Sequence, residues 1–321
     1  MRIIYGCPSD DTPTGGVKVI YKQSEILNNL GIESGIWHPQ KPDFVCSWFK
    51  NNVRRIADAE LNPATDLIVI PEIWISAYFN NLKALGFKVA VYVQNCYFTH
   101  FNLNPAPNNL TPDLMRAADL LLSISDDTSQ FLTDLVKADP NKVILQRYSI
   151  DQSLFNVGAK KKLITYMPRK LPQHSLRVVA ALRPLLPPDW VISAIEKMNE
   201  TEVASVLSQS AVFMSFSEFE GLPVPPVEAA ISGNLVIGYH GEGGRQYWRE
   251  PNFVEIECGN VQKFALTVVD YVRQLESGQF QLNSLLEGIK LLKNEFSLKT
   301  ELDMLNTFVG RARDFYPQSS A

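Results

Sequence analysis

Short apolar runs bounded by turn residues alternate along this chain with longer amphipathic segments. That alternation is the pattern of layered α/β structure. RIIYGC, residues 2–7, reads as the first strand. Residues 17–30 read as a helix, with Val17, Ile20, Tyr21, Ser24, Leu27 and Leu30 on one face and Gly31 as its stop. ESGIW, DLIVI, KVAVYVQ, DLLLSIS and KVILQ follow as strands. Continuous apolar strands such as LIVI suit a parallel sheet covered on both faces.

A second series begins after YSIDQSLFN. KLITYM, DWVISAI, AVFMSF and NLVIGY read as strands, with helices over 175–186, over TEVASVLSQ with Thr201 as N-cap, and over VEAAIS. Three helical patterns close the chain: 261–277, 282–296 and a terminal helix from Leu298. The expected fold class is therefore α/β, with two Rossmann-like domains in series. The first covers residues 1–154 and the second 155–297, and the terminal helix, 298–321, returns to the first.

Composition narrows the function more than the fold. A chain of 321 residues, 45% hydrophobic, can bury two ordinary cores. A net charge of −4 gives no global basic field, so no nucleic-acid partner is expected. Cys7, Cys46, Cys96 and Cys258 are scattered without a C-x-x-C pair, which fits a reducing compartment better than a disulfide framework. MRIIYGCPS runs straight into a strand with no signal-peptide layout, and no apolar stretch approaches the ~18 residues of a membrane span. A cytoplasmic location is expected, and peripheral membrane contact stays open.

Ligands of open α/β sheets sit at the carboxyl ends of strands, and three loops there stand out. PSDDTPTGGVK places Gly15 and Gly16 ahead of a helix start, where backbone N–H groups can meet an anion. GYHGEGGRQYW repeats the device with Gly243 and Gly244. SEFEGLPVPPVEAAISG sets Glu220 and Glu228 eight positions apart, with Pro223, Pro225 and Pro226 between them. Pro226 can start a helix at no hydrogen-bond cost and put Glu228 in its first turn. There the dipole favours a carboxylate, whose two oxygens can accept both hydroxyls of a ribose diol. AKKKLITYMPRK holds five basic residues in an otherwise acidic chain. Arg169 and Lys170 lie past its strand end, where they could neutralise a diphosphate without metal. Lys160, Lys161 and Lys162 read as a solvated face. Asn95 and His100 follow the strand KVAVYVQ and are candidate contacts for a sugar or an acceptor. There is no D-x-D, H-E-x-x-H or G-x-S-x-G, so no metal is expected.

Together these stretches resemble a known family. EGLPVPPVEAAISGNLVIG is similar to the E-x7-E region of retaining, family-four type glycosyltransferases with the GT-B fold. Glu220, Gly221, Pro225, Pro226, Glu228 and Ala229 match that region without a gap. TGGVKVIYKQSEILNNLGIESGIW resembles the family's glycine loop, first helix and second strand, and SISDDTSQFL and YSIDQSLF also find counterparts. YMPRK with DWVISAI looks most like a compact branch containing polysaccharide rhamnosyltransferases. The resemblance implies that Glu228 binds the donor's ribose and Glu220 lies by the transferred sugar. Arg169 and Lys170 would hold the diphosphate, Gly15, Gly16, Gly243, Gly244 and Leu222 would line the donor, and the first domain would take the acceptor.

The match has departures. Arg169 and Lys170 are adjacent where the family spaces them, and Arg245, Gln246 and Tyr247 stand where the second glycine loop usually ends in Glu. Leu222 and Pro223 follow Gly221, which permits a gapped alignment with Glu218 as the first carboxylate. The implied reaction is transfer of a sugar from a nucleoside diphosphate donor to a glycan or lipid-linked acceptor, with retention of configuration and no cofactor or metal. A sugar-nucleotide epimerase, a hydrolase and a non-catalytic nucleotide- or glycan-binding protein are the alternatives. Donor base, sugar, acceptor and oligomeric state are not readable from the sequence.

Overall fold

The computed structural model describes residues 1–99 and 111–316, so the candidate contact His100 lies outside the described residues. The chain forms two compact units, one of residues 1–148 with the segment from Glu301 onward, the other Ser149–Thr300.

The first unit contains β1 (Arg2–Gly6), α1 (Gly15–Asn29), β2 (Ser34–Trp37), β3 (Arg55–Ile56), β4 (Asp66–Pro71), α2 (Ile75–Ala84), β5 (Lys88–Val93), α3 (Thr111–Ala117), β6 (Leu120–Ser123), α4 (Asp126–Asp134) and β7 (Val143–Leu145). Its described strands pair in the order β3-β2-β1-β4-β5-β6-β7, all parallel. Every residue of β4 is buried, as the apolar run that follows Asp66 requires of a strand covered on both faces. Ile4, Ile68, Ile70, Val89, Val91 and Leu121 from the sheet pack with Phe79 and Leu82 of α2 and Leu132 of α4. Four of the expected face of α1 are apolar or aromatic and buried (Val17, Ile20, Tyr21, Leu27), and Ser24 joins them by bonding Ser34 at 2.8 Å. Leu30 is the exception at 39% exposed, because the helix ends at Asn29 and Leu30 is already its cap.

The second unit contains β8 (Lys161–Tyr166), α5 (Pro172–Leu182), β9 (Val191–Ala194), α6 (Glu200–Gln209), β10 (Ser210–Glu220), α7 (Pro225–Ile231), β11 (Leu235–Glu242), β12 (Phe253–Glu255), α8 (Val261–Ser277) and α9 (Leu286–Glu295). The strands run parallel in the order β12-β11-β10-β8-β9. Ile164, Val212, Met214 and Ile237 meet Val178, Val179 and Leu182 of α5 and Phe264, Val268 and Val272 of α8. The last helix, α10 (Leu298–Arg313), buries Leu305, Phe308, Val309 and Ala312. Just beyond it, the Tyr316 hydroxyl donates to the Asp66 carbonyl at 2.6 Å. Among the described residues no helix is long and apolar enough to cross a membrane.

Several expectations need correction. The cap of α6 is Asn199, not Thr201: its side chain accepts the Glu202 N–H at 3.0 Å, while Glu202 accepts the Asn199 N–H at 2.7 Å. This reciprocal capping box satisfies two donors where Thr201 would satisfy one. Helix α5 starts at Pro172 and stops at Leu182, since Pro at the first position costs nothing and Pro184 cannot continue the turn. Lys160 is not part of a solvated face. Its ammonium donates to the carbonyls of Leu207 at 3.2 Å and Ser232 at 2.5 Å, at the carboxyl ends of α6 and α7. A cation there offsets the helix dipoles, although burial still pulls the Lys160 pKa down to about 7.

Candidate functional site

In the second unit, β8 lies beside β10, and the strands that follow each of them in sequence lie on opposite sides. The chain therefore reverses its direction of travel between β8 and β10, and the carboxyl ends of these two strands form the topological switch point, where open sheets bind ligands. Lys170 follows β8 and Glu220 ends β10. Their charged atoms meet at 2.6 Å, with Glu220 only 18% exposed and Lys170 53%. Two residues that the sequence separates by fifty positions are thus one constellation. Arg169, the residue before Lys170, is exposed.

The aim of Glu220 comes from a defect in the strand. Ser217 faces His240 and Glu220 faces Glu242, so β10 carries one residue more than β11 over this span. Such a bulge redirects the side chain after it. Phe219 supplies the bulge with φ of 49°, a left-handed conformation rare for an aromatic residue and concentrated at functional sites. The apolar pattern ends at Phe216, so AVFMSF alone understated a strand that runs to Glu220. Glu218, the other candidate first carboxylate, is exposed beside the thiol of Cys258 at 3.7 Å and not beside Lys170.

Beyond Glu220 the chain turns through Gly221, Leu222 and Pro223 into α7, which begins at Pro225, one residue earlier than expected, and holds half-buried Glu228 in its first turn. Leu222 is buried at 6% exposure. Gly243 presses on this turn: a side chain there would put Cβ 1.9 Å from the Gly221 carbonyl oxygen. Gly244 is equally confined, its Cβ position lying 2.2 Å from the His240 carbonyl oxygen. Close backbone packing therefore explains both glycines without a ligand.

In the first unit the corresponding switch point lies between β1 and β4. Gly15 opens α1 with no neighbouring atom within 4 Å of its Cβ position, whereas Gly16 packs on Gln94, whose amide donates to the Gly16 carbonyl at 3.2 Å. No acidic residue stands in the first turn of α1. Asn95 spends its side-chain oxygen on the Tyr97 N–H at 3.1 Å, capping a short 3-10 turn.

Glu72 was not singled out from the sequence, yet it directly follows β4 at this point, opening a short 3-10 turn, with 6% exposure. Its two oxygens accept the backbone N–H groups of Gln94 at 3.1 Å and Asn95 at 2.9 Å. The available signal was a carboxylate directly after the apolar run DLIVIP. Burial pushes its pKa up to about 7, against the opposing pull of the two N–H donors. The folded chain then keeps a proton on Glu72 between pH 4.5 and 7 that the unfolded chain has released. Its contribution to stability is thus complete below pH 4.5 and is lost as pH rises through 7. A Tm-against-pH profile of Glu72→Gln should lack this falling component, and parallel profiles for the two proteins would refute the assignment.

Among the described residues no group of three or more His, Cys, Asp or Glu side chains is arranged to hold a metal ion. No family model matches the sequence, and no curated protein matches it either. Solved structures do. The chain is similar to a sucrose-phosphate synthase from Thermosynechococcus elongatus (TM-score 0.74, 12% identity, 99% of this chain and 100% of that one). It is similar to HepE from Anabaena, solved with UDP and glucose (TM-score 0.73, 12% identity, 97% and 99%). A glycosyltransferase from Rickettsia africae ESF-5 also matches (TM-score 0.67, 15% identity, 99% and 99%). At these identities the likeness is one of fold, and the fold, two parallel-sheet α/β domains over the whole chain, is that of the GT-B glycosyltransferases.

Proposed function

We propose that this protein is a glycosyltransferase that moves a sugar from a nucleoside diphosphate donor to a glycan or lipid-linked acceptor, with retention of configuration. The observation that carries the reading is the Lys170–Glu220 pair at the switch point of the second sheet, one turn ahead of Glu228. Glu228 would accept the ribose hydroxyls. Lys170, with Arg169 beside it, would take the charge that develops on the leaving diphosphate, so no metal is required for that task. Glu220 would hold Lys170 in place and face the transferred sugar through an oxocarbenium-like transition state. In a same-face displacement the leaving phosphate oxygen can accept the acceptor's proton. Most of the rate enhancement would then come from positioning and charge stabilisation.

UDP is the first donor nucleotide to try, because HepE was solved with UDP-glucose and with UDP. The sugar would be a hexose or, following the sequence resemblance, a deoxyhexose such as rhamnose. A cytoplasmic enzyme working at a membrane surface would be needed for a lipid-linked acceptor. The test is a thermal-shift panel of UDP, dTDP, GDP and ADP. A ligand at ~100 times its Kd should stabilise the fold by ~2.7 kcal/mol, a shift of several degrees. One responding nucleotide, whose sugar conjugates then yield a glycosylated product with an acceptor, supports transfer. Release of free sugar or epimer without an acceptor would select a hydrolase or epimerase, and no response from any nucleotide would sink the donor-site reading.

A further inference from the structure

The turn from Glu220 to α7 is poor in the means of holding itself. Pro223, Pro225 and Pro226 carry no N–H, so residues 221–226 have only three backbone donors with which to order six carbonyls. The Val224 carbonyl is held by the Val227 and Glu228 N–H groups of α7 at 3.0 and 3.1 Å, and the Glu220 and Pro223 carbonyls are held from the loop after β11. The Gly243 N–H donates to the Glu220 carbonyl at 3.1 Å, and the Gly243 backbone lies against the Gly221 carbonyl with no room for a Cβ. The third anchor is a side chain. The Tyr247 hydroxyl donates to the Pro223 carbonyl at 2.8 Å.

Tyr247 is well placed to act as a fixed strut. It is 1% exposed, and its ring packs on Phe253 and Phe296 with centroids 5.4 and 5.8 Å apart. Its own N–H is bonded to the Gly244 carbonyl at 3.0 Å, in a short 3-10 turn over Arg245–Tyr247. The hydroxyl would be costly to bury without a partner, and its partner is a carbonyl of the turn between the two carboxylates. A fully packed aromatic with a single polar atom thus spans from one loop to the other.

We propose that Tyr247 is a positioning residue for the donor: it fixes the Glu220–Glu228 turn so that both carboxylates are held at one separation before ligand binds. The inference rests on the donor-site reading of that turn. Preorganisation of this kind raises affinity by removing the ordering cost at the moment of binding.

The variant is Tyr247→Phe, which keeps the ring and its packing and removes only the oxygen. The apo Tm should fall by no more than about 4 °C, as befits one hydrogen bond in a unit of this size. Amide exchange at Gly243, Val227 and Glu228, whose N–H groups are bonded to carbonyls of this turn, should accelerate at least tenfold while exchange in the first unit is unchanged, because the anchor is local. The Kd for the responding nucleotide among UDP, dTDP, GDP and ADP, measured by calorimetry, should rise about tenfold. A lower Tm with unchanged Kd and unchanged turn exchange would make Tyr247 merely structural and overturn the proposal. A wild type that binds no nucleotide, together with faster turn exchange in the variant, would instead remove the donor-site reading and leave the strut standing as a structural anchor.

Discussion

Glu228→Ala is expected to erase the nucleotide-dependent thermal shift while barely changing the melting of the free protein. The carboxylate would accept two charge-assisted hydrogen bonds from a ribose diol, each worth roughly 1.5–3 kcal/mol. Losing both, at the lower end of that range, raises Kd by about a hundredfold. A nucleotide supplied at ~100 times the wild-type Kd would then sit near the variant's Kd, and its stabilisation would drop from ~2.7 to ~0.4 kcal/mol. Placement of a carboxylate in the first turn of α7 contributes about 0.3–1 kcal/mol to the free protein, so its melting should fall far less than the nucleotide-dependent shift. Thermal shift and calorimetry on both proteins provide the check. A variant that keeps the wild-type shift would show that Glu228 serves the helix and not a ligand.

The opposite pattern is expected at the other end of the first sheet. Asp66 begins β4 with its side chain fully buried, and Arg2 of β1 grips it from Nε at 2.7 Å and Nη2 at 2.6 Å. The Asn62 N–H and the Thr65 hydroxyl, both at 2.8 Å, complete the shell. Asp66→Ala removes one partner of a shielded ion pair and leaves Arg2 with only the Glu60 carbonyl at 2.7 Å and Glu33 at 3.6 Å, a change that costs about 3 kcal/mol, the low end for breaking a buried pair. For a chain of this size that is a fall in Tm of about 10 °C. The bonds from Arg2 hold the Asp66 pKa below its ordinary 3.8, against burial, which raises it. The wild-type contribution is therefore present above pH 3.8 and lost as pH falls through the lower folded value. Nucleotide affinity, read on the folded variant, should not move, because amino ends of strands carry stability and carboxyl ends carry the ligand site. A small Tm change in Asp66→Ala, or a large change in affinity, would contradict that division.

Much of the architecture was legible because it follows from local regularities. Apolar runs such as LIVI and VAVYV suit strands covered on both faces, and α8 was bounded correctly by its periodic face alone. The two-residue β3 and three-residue β12 carry too few positions for a period to show, and they exist because neighbouring strands offer them a ladder. Lys160 looked solvated because three consecutive lysines usually are. Only the approach of two helix ends, more than twenty residues apart in sequence, makes it a buried cap.

The candidate site divides in the same way. The chain itself determined the ingredients: two carboxylates eight positions apart, a proline-stiffened turn, a basic pair past a strand and two glycine loops. Tertiary structure decided which of them meet. Strand order brought Lys170 to Glu220, the bulge at Phe219 set Glu220 apart from Glu218, and the loop after β11 brought Tyr247 to Pro223. Residue type and short-range spacing are properties of the local chain and can be read directly. Pairings between distant segments are set by how sheets order their strands and where a buried polar atom finds its partner, and those are settled only when the whole domain packs.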